Sequence, residues 1–150
     1  MSSPSSWQDF ELVVRSRPDA VRKTLTQLRR VVAPLAPTPT FIDRFELALA
    51  EALNNVVEHA YRNNPDGTIW LRCSSDPSGL VVQIKDNGVA VPGSRMPDQP
   101  VFPDPAAVST LPEGGFGRHL IRHLADRVEY RRLAGQNCLI LHVPFRERQK

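Results

Sequence analysis

The chain predicts a two-layer α/β sandwich, with helices on one face of a mixed, mainly antiparallel sheet. Two observations carry this. Apolar residues recur at helical spacing around residues 18–33 and 40–62, and at strand spacing in short runs elsewhere. The runs at 68–74 and 80–86 flank Asp76-Pro77-Ser78-Gly79, which reads as a hairpin turn. With 150 residues, the chain fits one domain with a real core.

Taken in order, residues 1–8 are rich in Ser and Pro and are expected to fray. Phe10 to Arg15 reads as a first strand. Pro18-Asp19 opens a helix to about Ala33, with Val21, Leu25, Leu28 and Val32 facing inward. Pro34, Pro37 and Pro39 break helix propagation. A second helix follows from about Thr40 to Arg62, its apolar face made by Phe45, Leu49, Leu53, Val56, Val57 and Ala60. Strands are expected at Thr68–Ser74 and Leu80–Asp86, then a helix at Gly117–Asp126, then strands at Val128–Leu133 and Asn137–Pro144. Between Asp86 and the late helix the periodicity vanishes. Six of the fourteen prolines fall there, at 92, 97, 100, 103, 105 and 112. Such a long aperiodic insert is more often functional or disordered than a packed element.

Composition limits the function classes. Nineteen basic against sixteen acidic residues leave a net charge of +3, and the basic residues are scattered. That argues against direct nucleic-acid binding. Cys73 and Cys138 stand apart without Cys-x-x-Cys spacing, as expected for buried thiols in a reducing cytoplasm. No run approaches the ~20 apolar residues of a membrane span. His119 and His123 are four apart, but no third metal ligand accompanies them.

Three segments carry chemistry. In the second helix Glu51 and Asn55 lie four apart, on one face beside the apolar stripe. A carboxylate there can take a proton, and an amide oxygen can ligate a hard cation such as Mg²⁺. At the end of the 80–86 strand, Asp86-Asn87-Gly88 places a carboxylate where strand gives way to turn. Asp86 can accept from an exocyclic amine, and Gly88 would let backbone approach a flat ring. Last, Gly114-Gly115-Phe116-Gly117-Arg118-His119 leads into an apolar-periodic helix. Free N–H groups at such a helix start suit polyphosphate.

In this order the three segments resemble the ATP-binding boxes shared by gyrase, ninety-kilodalton heat-shock chaperones, sensor histidine kinases and MutL-type repair proteins. Glu51-x-x-x-Asn55 matches the first box, Asp86-x-Gly88 the second and Gly115-x-Gly117 the third. The run Glu-Ala-Leu-Asn-Asn-Val-Val-Glu-His-Ala-Tyr at 51–61 is similar to bacterial anti-sigma-factor serine kinases.

The resemblance implies a Bergerat-type ATP-binding fold in one kinase domain, with residues 89–113 as the ATP lid. It implies ATP and Mg²⁺, with Asn55 as metal ligand and Glu51 as general base. Nucleotide contacts would come from Asn55, Asp86, Gly88, Ala90, Val91, Gly115, Phe116, Gly117, Arg118, His119 and Asn137. Two positions depart from the pattern. Ala90 holds the last glycine of the second box, and Gly135-Gln136-Asn137 replaces Gly-Thr-Thr in the last strand.

The implied partners are an anti-sigma-factor antagonist as phospho-acceptor, a sigma factor, and a second copy of the chain joined through the first strand and helix. A partner-switching cytoplasmic regulator is the expectation. The alternative is a nucleotide-gated binding protein without phosphotransfer. The outer face of the first helix, with Arg22, Lys23, Arg29 and Arg30, is the expected docking surface.

Overall fold

The computed structural model describes residues 9–90 and 120–146. Strand β1 (Phe10–Arg15) is followed by helix α1 (Pro18–Val32), a single 3₁₀ turn (Ala33–Leu35) and helix α2 (Pro39–Asn55). A π-helical turn (Val56–Ala60) extends α2. Strands β2 (Thr68–Asp76) and β3 (Gly79–Asp86) come next. Residues 120–124 are helical and are designated α3. Strands β4 (Arg127–Leu133) and β5 (Gln136–Pro144) complete the described chain.

Local sequence explains both long helices. Pro18 sits in the first turn of α1, where its missing N–H costs nothing, and Asp19 lies beside the positive dipole end. Arg29 and Arg30 occupy the last turn, where cations are favoured. Thr38 caps α2, its hydroxyl accepting from the Phe41 N–H at 3.1 Å. Phe41, Phe45, Leu49 and Leu53 then recur along one face and are almost fully buried.

The sheet order is β1-β2-β3-β5-β4. Among the described residues every strand pair is antiparallel, which bears out the mainly antiparallel sheet expected and adds no parallel pair to it. For β2–β3 and β4–β5 the cause is local: their turns are too short to cross over, and a tight turn can only reverse direction. The β4–β5 turn places Ala134 at φ 55° and Gly135 at φ 77°, the left-handed conformation of a two-residue hairpin.

One sheet face carries the core. Val14, Ile69, Leu71, Leu80, Val82, Ile84, Leu141 and Val143 form one cluster with the inner faces of α1 and α2. Ile121 from α3 joins it. Among the described residues nothing covers the other face, where Val13 and Trp70 are exposed. Cys73 is buried, and desolvation pushes its thiol up to about 12. Cys138 is only half-buried, which corrects the expectation of two buried thiols.

Candidate nucleotide site

The first motif lies at the C-terminal end of α2. Glu51 and Asn55 are both half-buried, and neither makes a hydrogen bond to any described residue. Asn55 is the last α-helical residue before the π turn, whose wider loop is closed by the Tyr61 N–H donating to the Val56 carbonyl at 2.9 Å. Single π turns inside helices recur at functional sites.

The second motif caps this helix. The Val89 N–H donates to the Ala60 carbonyl at 2.8 Å, satisfying one of the orphan acceptors of the helix end. A Cβ on Gly88 would lie 2.3 Å from that same oxygen. Gly88 is therefore needed here for backbone to meet backbone. Tyr61 braces the junction: its hydroxyl donates to the Thr68 carbonyl at 2.5 Å and accepts from the Asn87 N–H at 2.8 Å.

Asp86 ends β3 on the buried face, only 2% exposed. Its Oδ1 accepts from the Gly88 N–H at 2.8 Å and from Asn137 Nδ2 at 2.8 Å. Its Oδ2 has no partner among the described residues. Desolvation raises its pKa above the ordinary carboxylate value; the bonds from Asn137 and Gly88 and the charge of Arg132 oppose this without cancelling it.

Asn137 lies opposite Asp86 on β5, and Arg132 lies opposite Asn137 on β4. The Arg132 guanidinium donates to Asn137 Oδ1 at 2.8 Å and to the Gly88 carbonyl at 2.9 Å. Tyr130 adds a second donor to Asn137 Oδ1 at 2.5 Å. Tyr61, Tyr130 and Arg132 were not anticipated. Only the strand register, which brings β4 and β5 beside Asp86, exposes the last two.

Ala90 is exposed and is not among the described residues with positive φ, so alanine is accommodated there without strain. Val91, Gly115, Phe116, Gly117, Arg118 and His119 lie outside the described residues, as does the expected lid beyond Ala90. The helix expected at Gly117–Asp126 is described from residue 120 on. Its exit is anchored to β5: the Asp126 N–H donates to the His142 carbonyl at 3.0 Å, and Asp126 Oδ1 shares a 2.6 Å hydrogen bond with His142 Nδ1.

A shallow depression of about 500 Å³ lies on the open sheet face, lined by Glu11, Val13, Trp70, Arg72 and Lys85 among others. Strand alternation puts Lys85 and Asp86 on opposite faces, so this depression is separate from the motif residues.

A family model described as histidine kinase-like ATPase domain matches residues 14–143. The chain belongs to that family. Two relatives are named serine-protein kinase RsbW. The one from Oceanobacillus iheyensis is 28% identical over 127 residues, covering 83% of this chain and 80% of the relative. The one from Bacillus subtilis is 27% identical over 127 residues, covering 84% and 79%. An anti-sigma F factor from Halalkalibacterium halodurans is 26% identical over 101 residues, covering 65% of each chain. Among solved structures, the RsbU and RsbW domains of Rv1364c from Mycobacterium tuberculosis superpose with a TM-score of 0.64 at 16% identity. That match covers 95% of this chain and 34% of the longer protein, and shows the ATPase fold alone.

A histidine kinase-like ATPase domain implies ATP, and the donor set fits magnesium as well. No group of three or more His, Cys, Asp or Glu side chains forms a metal cage among the described residues. Mg²⁺ beside a nucleotide takes most of its ligands from phosphate and water, with one or two from protein. Asn55, with an amide oxygen unengaged by any described residue, suits that role.

Proposed function

We propose that this chain is an ATP-dependent serine-protein kinase and anti-sigma factor. It phosphorylates an anti-sigma-factor antagonist and sequesters a sigma factor. Its similarity to serine-protein kinases named RsbW and to an anti-sigma F factor supports the class. The observation that carries the reading is the Ala60–Val89 hydrogen bond, which fixes the Glu51/Asn55 helix to the Asp86 turn.

Each residue then has a role. Asp86 holds the adenine amino group through its unengaged oxygen. Asn55 would hold Mg²⁺, which would supply charge neutralisation at the phosphates. Glu51 orients the acceptor serine hydroxyl and takes its proton as the serine oxygen bonds to the γ-phosphorus. The bond from that phosphorus to the β–γ bridging oxygen breaks, and ADP leaves with the electron pair. The backbone N–H groups of Gly115 to His119, with Phe116, Gly117 and Arg118, are assigned to the phosphates, and Val91 to the lid's start.

We further assign a homodimer to the open sheet face. Val13 and Trp70 are direct cross-strand partners and are 68% and 38% exposed. Paired apolar side chains on an uncovered sheet are a natural contact for a second copy. No helix among the described residues is long and apolar enough to cross a membrane. We place the protein in the cytoplasm, as one ATP-binding domain acting on protein partners.

The test is transfer from γ-labelled ATP to the antagonist protein. Label on the antagonist at a serine or threonine is expected. ATP-dependent binding of the antagonist with no label transferred would make the chain a nucleotide-gated binding protein instead.

A further inference from the structure

Arg132, Asn137 and Asp86 form one row across β4, β5 and β3, each opposite the next. A side-chain amide has two lone pairs on its oxygen and two protons on its nitrogen. In Asn137 all four are used. Oδ1 accepts from Tyr130 at 2.5 Å and from Arg132 at 2.8 Å. Nδ2 donates to Asp86 Oδ1 at 2.8 Å and to the Val89 carbonyl at 2.9 Å. The Asn137 side chain therefore has no capacity left for a base, although the sequence pattern placed it among the nucleotide contacts.

The direction of the amide follows from Arg132. A guanidinium has donors only, so the amide must turn its oxygen toward Arg132 and its nitrogen toward Asp86. The same Nη1 holds the Gly88 carbonyl at 2.9 Å, fixing the turn that supplies the second donor to Asp86 Oδ1. Both lone pairs of Oδ1 are then occupied, and Oδ2 is left as an acceptor without a partner among the described residues.

We infer that Arg132, assisted by Tyr130, is a positioning residue that sets the base selectivity of the site. It acts through Asn137 to present one ionised carboxylate oxygen to the ligand. A pure acceptor matches the exocyclic amino group of adenine and repels the carbonyl oxygen that guanine carries at that place. The inference rests on the site being an ATP site. It goes beyond that reading by naming the residues that choose the base. Without Arg132 the amide can flip, Asp86 can rotate, and its proton is held more readily. A protonated carboxyl can donate, and so can accept guanine.

Calorimetric titration of the full chain with Mg-ATP and Mg-GTP tests this, using wild type, Arg132→Met, Arg132→Lys, Tyr130→Phe and, as control, Asp86→Asn. Arg132→Met is expected to lose about tenfold in ATP affinity, the scale of a charged hydrogen bond, with a comparable fall in ATP-over-GTP preference. Its acid limb of ATP binding should move to higher pH. Arg132→Lys should keep the wild-type limb, because the charge remains, while losing part of the affinity. Should Arg132→Met fail to fold, Tyr130→Phe removes one donor from the same oxygen and should lower the ATP preference measurably. Wild-type affinity, preference and pH limb in Arg132→Met, or in Tyr130→Phe if Arg132→Met cannot be folded, would overturn the inference while Asp86→Asn still abolished binding and the ATP site stood. A wild-type chain that bound neither nucleotide would overturn the ATP reading and the inference with it.

Discussion

The Ala60 carbonyl oxygen accepts the Val89 N–H at 2.8 Å, and the intervening geometry leaves no room for a side chain at residue 88. This contact joins the helix of Glu51 and Asn55 to the Asp86 turn. It makes the site a property of backbone packing as much as of its polar side chains.

Gly88→Ala is accordingly expected to be costly. Its Cβ would meet backbone at 2.3 Å, and backbone cannot rotate away as a flexible side chain can. Overpacking of this kind costs about 1–3 kcal/mol. Thermal denaturation should show the loss, and ATP affinity should fall with it. A melting temperature and affinity equal to wild type would show that the turn is loosely held.

Asp86 gives opposite effects on stability and binding. Burial raises its folded-state pKa above the unfolded value. Its contribution to stability is therefore fully present below the unfolded pKa and is lost as pH rises through the folded pKa. At neutral pH the buried carboxylate is a burden on the empty fold. Asp86→Asn keeps the acceptor for Gly88 and Asn137, so the nucleotide-free variant should melt at the wild-type temperature or above while ATP binding disappears. For the wild type, ATP affinity should fall as pH drops through the raised pKa, at a higher pH than an exposed carboxylate would give. Asp86→Asn that bound ATP normally would remove the residue from base recognition.

Asn55→Ala should weaken Mg-ATP binding severely, because the cation loses its protein ligand beside the phosphates. Titration with and without Mg²⁺ separates this from a packing defect. The variant should resemble wild type assayed without the metal. Unchanged affinity in the presence of Mg²⁺ would contradict the assignment.

Of the four basic residues expected on α1's outer face, Arg29 is already paired, with Asp43 at 3.0 Å and Glu46 at 2.5 Å on α2. Arg22 remains exposed. Charges of this kind steer encounter and partner choice, so Arg22→Glu should slow association with the antagonist or sigma factor by on the order of tenfold. ATP affinity should not change. Association kinetics matching wild type would leave Arg22 as a solvated residue.

Much of this architecture was legible beforehand because apolar periodicity survives in the chain. The strand at Phe10–Arg15 was read with its observed bounds, and the other strands to within one or two residues. Asp86 stood out because a carboxylate at the end of an apolar strand is chemically odd. The π turn at Val56–Ala60 was hidden, since its residues keep the helical apolar pattern. The packing of Gly88 on Ala60 was not legible, because the two are distant in sequence. Tyr130 and Arg132 belong to none of the three motifs. Only the pairing of β4 with β5 and β5 with β3 brings them to Asp86, and register of that kind is a tertiary fact.

The central claim is that Glu51 serves transfer and not nucleotide binding. The most direct measurement is single-turnover transfer from γ-labelled ATP to the antagonist by Glu51→Ala, with ATP affinity measured on the same sample. The expected result is wild-type ATP affinity with transfer slowed by roughly 10²–10⁴. Transfer at the wild-type rate would contradict the account, and loss of ATP binding would put Glu51 in the metal shell instead.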